Sequence, residues 1–171
     1  KHVFCSVSEL NIRRNCFVSY IRDYGSNAAK RPCSSKAETT GHTPATVMVN
    51  AILILAAGAA SRMNQAKMLL PFGPASILSH ILGEVKAVKP DCICLLTGYY
   101  HKEIADSIDT SQLFLVHNKH WKEGMASSIR TGMQALMKKY PELSTVMIIV
   151  SDQPHLNRKV LNEMMAAQAK T

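Results

Sequence analysis

Residues 50–73 read NAILILAAGAASRMNQAKMLLPFG, and this stretch decides the fold. Its first part, residues 51–57, is an unbroken apolar run. The run is long enough for a strand and too short for a lone buried helix, and its lack of polar residues is typical of a strand covered on both faces of a parallel sheet. The loop that begins at Gly58 therefore follows the carboxyl end of a buried strand, where open α/β sheets bind ligands.

The nine residues after Gly58 are mostly small or polar and include two cations, Arg62 and Lys67, but no acid. Backbone N–H groups beside small side chains approach a phosphate closely, and the two cations add positive charge. A P-loop would need Gly-Lys-Ser/Thr where this chain has Met-Asn-Gln at residues 63–65, and a dinucleotide-binding loop would need two further glycines that are absent. We therefore predict a polyphosphate ligand that is held by a different motif.

Apolar strands and amphipathic helices alternate along the rest of the chain. The patterns predict strands at residues 92–97, 113–116 and 146–150, and helices at residues 74–88, 101–108, 123–140 and 157–170. Asn157 is placed to cap the last helix. Strands that alternate with helices form βαβ units, so we predict an α/β fold with a mostly parallel sheet and helices on both faces.

The composition indicates a single soluble domain. The chain has 171 residues, 47% of them apolar, and no apolar run is long enough to span a membrane. The net charge of +8 is uneven, because residues 1–47 hold seven Lys or Arg and three acids, while the remainder has the modest excess that is ordinary for a protein that handles anions. We therefore expect neither nucleic acid nor a membrane as a partner.

The five cysteines show neither a CxxC motif nor the His/Cys spacing of a zinc site. Cys92 and Cys94 lie in a predicted apolar strand, where free thiols suit a reducing compartment. We therefore expect a cytoplasmic protein.

Residues 1–47 lack a sustained helical or strand period and carry Ser, Thr, Asn, Gly and Pro throughout. We expect this segment to be a poorly ordered or non-native leader. The folded domain is then predicted to span residues 48–171.

The loop resembles the signature of MobA-like nucleotidyltransferases, specifically the branch of molybdenum cofactor cytidylyltransferases. The residues that match in register are Leu-Ala-Ala-Gly at 55–58, Arg-Met at 62–63, Lys67 and Leu-Leu-Pro at 69–71. Ala60 stands where serine is usual, and Asn64 where glycine is usual. The resemblance implies a Rossmann-like nucleotidyltransferase fold with a further strand pair and helix near its end, so we expect the domain to be incomplete at its C-terminal end.

The resemblance also implies the site residues. Lys67 and Arg62 are expected to be catalytic, and the nucleotide is expected to contact Leu55, Ala56, Ala57, Gly58 and Lys67, with Asn118, Gly124 and Ser127 from the segment NKHWKEGMASSI. Asp152, in SDQPHL, is expected to bind Mg²⁺. The residues support this metal ligand, because Asp152 follows an apolar strand at the same sheet edge as the first loop, and Mg²⁺ is held by one or two carboxylates plus substrate oxygens. We predict that Lys67 and Asp152 converge on one triphosphate.

The reaction that the resemblance implies is transfer of CMP from CTP to the molybdopterin form of the molybdenum cofactor, with release of pyrophosphate. In the family, Leu-Ala-Ala-Gly accompanies cytidine and Leu-Ala-Gly-Gly accompanies guanosine, and a Cβ at Ala57 narrows the base pocket. The implied partners are CTP, a molybdopterin-type acceptor and molybdoenzyme maturation factors.

Two alternatives stay open. One is a nucleotidyltransferase that uses GTP or that acts on a sugar or polyol phosphate. The other is a non-catalytic nucleotide-binding remnant, which the substitutions at residues 60 and 64 favour.

Overall fold

The computed structural model describes residues 19–22, 49–59 and 65–168. Arg62, the substituted positions Ala60 and Asn64, and most of residues 1–47 lie outside the described residues. The predictions made for them therefore stay predictions.

The described residues form strands, α-helices and two short 3₁₀ helices. The strands are β1 (Ser19–Arg22), β2 (Val49–Ala56), β3 (Pro71–Phe72), β4 (Ala75–Ser76), β5 (Cys92–Thr97), β6 (Phe114–His117) and β7 (Leu143–Val150). The helices are α1 (Ile77–Val88), α2 (His101–Ser107), α3 (Met125–Lys139) and α4 (Arg158–Gln168), and the 3₁₀ helices span Lys67–Leu69 and Trp121–Glu123.

The main sheet has the strand order β1-β7-β2-β5-β6. β2 is parallel to both β7 and β5, β5 is parallel to β6, and β1 is antiparallel to β7 at the edge. From β2 the chain proceeds through α1, β5 and α2 to β6, and α3 then returns it to β7 on the other side of β2. The winding direction therefore reverses between β2 and β7, and their carboxyl ends border the crevice where such sheets bind ligands.

Alternate residues of β2 enter two separate cores. Ile52 and Ile54 pack with α1, α2 and α4 on one face of the sheet, whereas Ala51 and Leu53 pack with α3 on the other. Helix α3 lies very close to the sheet, because a Cβ on Gly132 would stand 2.7 Å from Leu53 Cδ1. The structure therefore has three layers, with the sheet between helices on its two faces. This arrangement confirms the predicted α/β fold.

The two cysteines of β5, Cys92 and Cys94, are buried and free. Burial raises the pKa of both thiols, that of Cys94 to about 12. Neither thiol is therefore activated as a nucleophile.

The prediction that the first helix starts at residue 74 is wrong, because β3 and β4 form a small antiparallel hairpin there. Gly73 turns the hairpin with a φ of 61°, which glycine adopts without strain. Ser76 then caps α1 by accepting a hydrogen bond from the Ser79 N–H at 3.2 Å. Strands of two residues are too short to show a period in the sequence.

The start of α3 also differs from the prediction, since Trp121–Glu123 forms a 3₁₀ turn and Gly124 has a φ of 93°. The bounds of β5 agree with the prediction. The predicted cap of the last helix is confirmed, because Val160 N donates to Asn157 Oδ1 at 3.1 Å.

Strand β1 was not predicted from the sequence. It lies within residues 1–47 and pairs with residues 145–148 of β7. The division of the chain at residue 47 stays a prediction. No helix in the described part of the chain is long and apolar enough to cross a membrane.

Candidate functional site

The predicted site lies at the carboxyl edge of the sheet, where four parallel strands end side by side. β2 leads into Ala57 and Gly58, and the neighbouring β7 leads into Ser151 and Asp152. The two exits are joined by the hydrogen bond from Ser151 N to Leu55 O at 3.1 Å. The first loop and the Asp152 segment therefore leave the sheet from adjacent positions.

The loop after β2 exposes backbone atoms rather than side chains to a ligand. Leu55, Ala56 and Ala57 are buried, with their side chains in the two cores. Gly58 is exposed, and a Cβ placed on it would meet no atom of the described residues within 4 Å. As far as that part of the chain is concerned, the space beside Gly58 is available to a ligand that approaches the backbone.

Gly98, at the end of β5, fixes the other side of this loop. A Cβ on Gly98 would lie 2.5 Å from Ala57 O and 2.8 Å from Trp121 Cβ. The backbone after β5 thus contacts the loop after β2 directly, which only glycine permits. The position of Ala57 and Gly58 depends on this contact.

Lys67 is the first residue of its 3₁₀ helix and is exposed, whereas the next residue, Met68, is buried in the core on the α1 face. Met68 anchors the short helix, and backbone hydrogen bonds from Leu69 N to Ala66 O and from Leu70 N to Lys67 O close it. Among the described residues Lys67 has no ion-pair partner. Its ammonium group is available to an anion.

The Lys67 and Asp152 segments lie on the same face of the sheet. Met68 and Leu156, which follow them, belong to the same buried cluster. A shallow pocket of about 300 Å³ is lined by Leu69 and by Tyr100 at the start of α2. The Lys67 helix therefore lies towards the carboxyl edge.

Asp152 is exposed, and within the described ranges its carboxylate has no hydrogen-bond or ion-pair partner. The described residues also contain no group of three or more His, Cys, Asp or Glu that would enclose a metal. A cation at Asp152 would take its other ligands from substrate and water. This donor set fits Mg²⁺, which keeps several waters and commonly uses one or two carboxylates with phosphate oxygens.

Asn118, at the end of β6, is almost completely buried, at 1% exposure. Its Nδ2 donates to Ser127 Oγ and Ser128 Oγ at 3.3 and 3.2 Å, and its Oδ1 accepts from His120 N at 2.9 Å. Ser127 Oγ in turn donates to His120 O at 3.2 Å. The Asn118 and Ser127 side chains, which the resemblance assigns to the nucleotide, are thus occupied in holding the loop between β6 and α3.

Gly124 is exposed immediately before α3, and within the described ranges a Cβ on it would meet no atom within 4 Å. The first N–H groups of a helix have no intrahelical partner and favour anions. Within the segment NKHWKEGMASSI, the backbone around Gly124 is therefore the part that stays open to a ligand.

The rings of His101 and His117 stack 4.3 Å apart at an angle of 4°. Thr97 Oγ1 donates to Val116 O at 3.1 Å and lies 2.8 Å from His101 Nδ1, so His101 carries its proton on Nδ1. Partial burial and the neighbouring His101 ring lower the pKa of His117. No sequence pattern reveals this pair, because the rings come from different elements.

Residues 52–171 match the MobA-like NTP transferase domain. The chain is 30% identical over 129 residues to the bifunctional protein GlmU of Mycolicibacterium paratuberculosis. This alignment covers 71% of this chain and 26% of that protein. The chain is 26% identical over 118 residues to GlmU of Francisella tularensis subsp. novicida, and this alignment covers 67% of this chain and 24% of that protein. The chain thus spans about a quarter of the length of these curated relatives.

Solved structures show the same fold. Rv0371c of Mycobacterium tuberculosis H37Rv superposes with a TM-score of 0.65 at 21% identity, covering 72% of this chain and 62% of that one. A manganese complex of Rv0371c has a TM-score of 0.61 at 18% identity, covering 72% and 61%. The 4-diphosphocytidyl-2C-methyl-D-erythritol synthase of Anaerococcus prevotii has a TM-score of 0.57 at 20% identity, covering 72% and 52%.

Proposed function

Because the chain belongs to the family of MobA-like NTP transferase domains, we propose that it transfers a nucleotide from a nucleoside triphosphate to a phosphate-bearing acceptor and releases pyrophosphate. The observation that carries the proposal is the adjacency of the exposed turn at Gly58 and the Asp152 carboxylate, which has no partner among the described residues, at the crevice between β2 and β7. A triphosphate bridged to a cation needs both features.

The reaction requires the protein to position the triphosphate and the acceptor phosphate, and it needs no covalent intermediate with the protein. An oxygen of the acceptor phosphate attacks the α-phosphorus and forms a new P–O bond, and the bond from the α-phosphorus to the bridging oxygen of the β-phosphate breaks. Pyrophosphate leaves with that electron pair. The backbone at Ala57 and Gly58 orients the phosphates, and the exposed ammonium group of Lys67 offsets the charge that develops on the leaving group.

Asp152 is the residue that would hold a divalent cation. Mg²⁺ bound there would screen the negative charge of the triphosphate oxygens. The existence of a manganese complex of Rv0371c supports divalent metal binding in a related fold. Arg62 stays a proposed second cation for the phosphates.

We propose CTP as the nucleotide and the molybdopterin form of the molybdenum cofactor as the acceptor. The choice of CTP rests on the resemblance, in which Leu-Ala-Ala-Gly, here at residues 55–58, accompanies cytidine. The acceptor rests on the resemblance of the Leu55–Pro71 loop to the cytidylyltransferase branch.

A polyol phosphate is the second candidate acceptor. It is favoured by the structural likeness to a protein named 4-diphosphocytidyl-2C-methyl-D-erythritol synthase. Product analysis with CTP and each acceptor separates the two candidates.

The proposal is tested by calorimetry with CTP and Mg²⁺, and by assaying pyrophosphate release. We expect Lys67→Ala and Asp152→Asn each to lower pyrophosphate release by about 100-fold or more, because each removes charge from the triphosphate site. Lys138→Ala is the matched control, since Lys138 is exposed near the end of α3, far from that crevice along the helix. Absence of CTP and GTP binding, or equal activity of all three variants, contradicts the proposal.

A further inference from the structure

The stacked rings of His101 and His117, called here the histidine pair, come from two different elements. His117 is the last residue of β6, and the register of the sheet places it opposite Thr97, the last residue of β5. His101 is the first residue of α2, which follows β5 after a short turn. The histidine pair therefore lies where β5, α2 and β6 meet.

Hydrogen bonds connect both histidines to the backbone where β5 ends. The backbone N–H of His101 donates to Gly98 O at 3.2 Å, and the His101 ring has its Nδ1 2.8 Å from Thr97 Oγ1. The His117 ring hydrogen-bonds to the backbone of Gly98, and this bond favours the protonated ring. The ring N–H is therefore the donor and the Gly98 carbonyl the acceptor. Both histidines thus hold Gly98 in place.

Gly98 connects the histidine pair to the proposed triphosphate site. A Cβ on Gly98 would lie 2.5 Å from Ala57 O and 2.9 Å from Ala57 Cα, so the two backbones are in direct contact. Groups packed this closely leave no space in which a displacement is absorbed. A shift of Gly98 therefore also shifts Ala57 and the exposed turn at Gly58.

The charged groups around His117 are cations. Partial burial is the largest cause that lowers the pKa of His117, and His101 on α2 and Lys119 in the loop after β6 lower it further. From β5, the neighbouring polar side chain is the uncharged hydroxyl of Thr97. Among the described residues, no carboxylate and no charged group of α3 acts on the His117 ring. A positive charge on the histidine pair therefore has no acidic partner there.

A second proton on the histidine pair opposes the stacking. Two imidazolium rings at this separation place like charges 4.3 Å apart, and no neighbouring acid offsets their repulsion. The rings are then driven apart, and the His117 ring loses its hydrogen bond to Gly98. The loop after β2 loses part of its support as a result.

We propose that the histidine pair positions the loop after β2 and releases it when both rings are protonated. The pair supports the reaction proposed above, on which this inference rests, only while at most one ring carries a positive charge. His101 and His117 act through Gly98 and Ala57, so they are positioning residues rather than catalytic ones.

The first test is the pH dependence of pyrophosphate release from CTP and Mg²⁺, measured from about pH 8 down to about pH 5. His117→Gln keeps a side-chain N–H for Gly98 but takes up no proton. The unaltered chain and this variant should be similarly active at about pH 8, and at about pH 5 the unaltered chain should have a kcat/KM for CTP about tenfold lower than the variant. Comparing the two chains cancels the titration of CTP itself.

Two further variants make this comparison specific. His101→Asn keeps an N–H for the Thr97 hydroxyl and removes the other charge, so it should reduce the acid decline in the same way. His80→Gln is the control, because the His80 ring contacts Phe72, away from the histidine pair. It should keep the acid decline of the unaltered chain. Circular dichroism confirms folding, which is expected for His117→Gln because His117 is exposed.

NMR tests the connection without any reaction. As the pH is lowered in the absence of CTP, the amide signals of Gly98 and Gly58 should shift together with the imidazole C–H signals of the histidine pair. In His117→Gln the two amide signals should stay in place over the same range of pH.

An undiminished acid decline in folded His117→Gln and His101→Asn overturns the inference, as does a Gly58 amide signal that does not follow the histidine pair. If His117→Gln is inactive at every pH, the His101→Asn profile and the NMR titration decide. If no pyrophosphate is released from CTP at any pH but the amide signals follow the histidine pair, the proposed function fails while the pH-dependent positioning of the loop stands.

Discussion

The two edges of the sheet differ in how their polar groups are used. At the carboxyl edge, Gly58 is exposed and the Asp152 carboxylate has no partner among the described residues. At the amino edge, the Asp91 carboxylate accepts hydrogen bonds from Asn50 N at 2.8 Å and from Asn50 Nδ2 at 3.4 Å, and Thr145 Oγ1 donates to Asn50 Oδ1. One edge is left open to ligands, and the other is closed by its own hydrogen bonds.

The larger cavity is nevertheless at the amino edge. It measures about 420 Å³ and is lined by Lys86, Lys89 and Lys139, against about 300 Å³ for the pocket beside Tyr100. These lysines stand where α1 and α3 end, and cations there compensate the negative ends of helices. Cavity volume is therefore a poor guide to the location of the ligand site in this protein, and the direction of the helices and strands is a better one.

The largest effect is expected from a variant that tests whether the carboxyl edge depends on the close backbone contact between Gly98 and Ala57. Gly98→Ala should lower the free energy of unfolding by about 3 kcal/mol, because the new Cβ has no room against Ala57 and Trp121. Displacement of the loop should also lower pyrophosphate release by about 100-fold. Urea unfolding and the release assay measure the two effects.

Gly83→Ala is the control for this change. Gly83 lies on an exposed part of α1, where a Cβ would have no atom of the described residues within 4 Å, so the free energy of unfolding should rise by up to about 1 kcal/mol. Release of pyrophosphate should be unchanged. Equal effects of the two alanines would show that the Gly98 contact does not hold the loop.

A second pair of variants compares an asparagine at each edge. Asn118→Ala should lower the free energy of unfolding by about 2 kcal/mol, because it leaves buried hydroxyls of Ser127 and Ser128 without their donor. It should also weaken CTP binding, since the loop before α3 loosens. Asn50→Ala, at the amino edge, removes the side-chain bonds to Asp91 and Thr145, and should lower the free energy of unfolding by about 1 kcal/mol and leave CTP binding unchanged. Calorimetry with CTP and urea unfolding are carried out on both variants. An equal change in the CTP affinity of the two variants would contradict the prediction.

The smallest expected effect concerns pH. The pKa of His117 is lowered from 6.5 in the folded protein, so the unfolded chain takes up the proton first as the pH falls. The free energy of unfolding should therefore decrease as the pH falls from about 6.5 towards the folded pKa, and His117→Gln should reduce this decrease. NMR titration of the imidazole C–H signals gives the pKa directly. A value at or above 6.5 contradicts the lowering of the His117 pKa by burial and by the neighbouring His101 ring.

Much of the fold follows from local pattern. The apolar run of β2 predicts a central parallel strand, and β5 has the predicted bounds, because strands covered on both faces carry an unmistakable apolar signal. The hairpin of β3 and β4 was missed, since two-residue strands have no period. Strand β1 was missed for the same reason, because its four residues show no pattern of their own.

The positions of Gly58 and Asp152 at the carboxyl edge follow from the sequence, because each residue comes directly after a strand and chain direction alone places it there. The partners of individual side chains do not follow from the sequence, since Asn118 and Ser127 come from separate elements and hydrogen-bond to each other. The contacts of all four residues with a nucleotide or a cation stay predictions.

By itself, the sequence determined the alternation of strands and helices, the open turn after the first long strand and the carboxylate after the last, since each of these depends on residues that are neighbours in the chain. Only the tertiary structure decided that Gly98 presses on Ala57, that Tyr99 meets Trp121 and that two histidines stack. These contacts join residues from separate elements, and their geometry depends on how the helices and strands pack rather than on any local pattern.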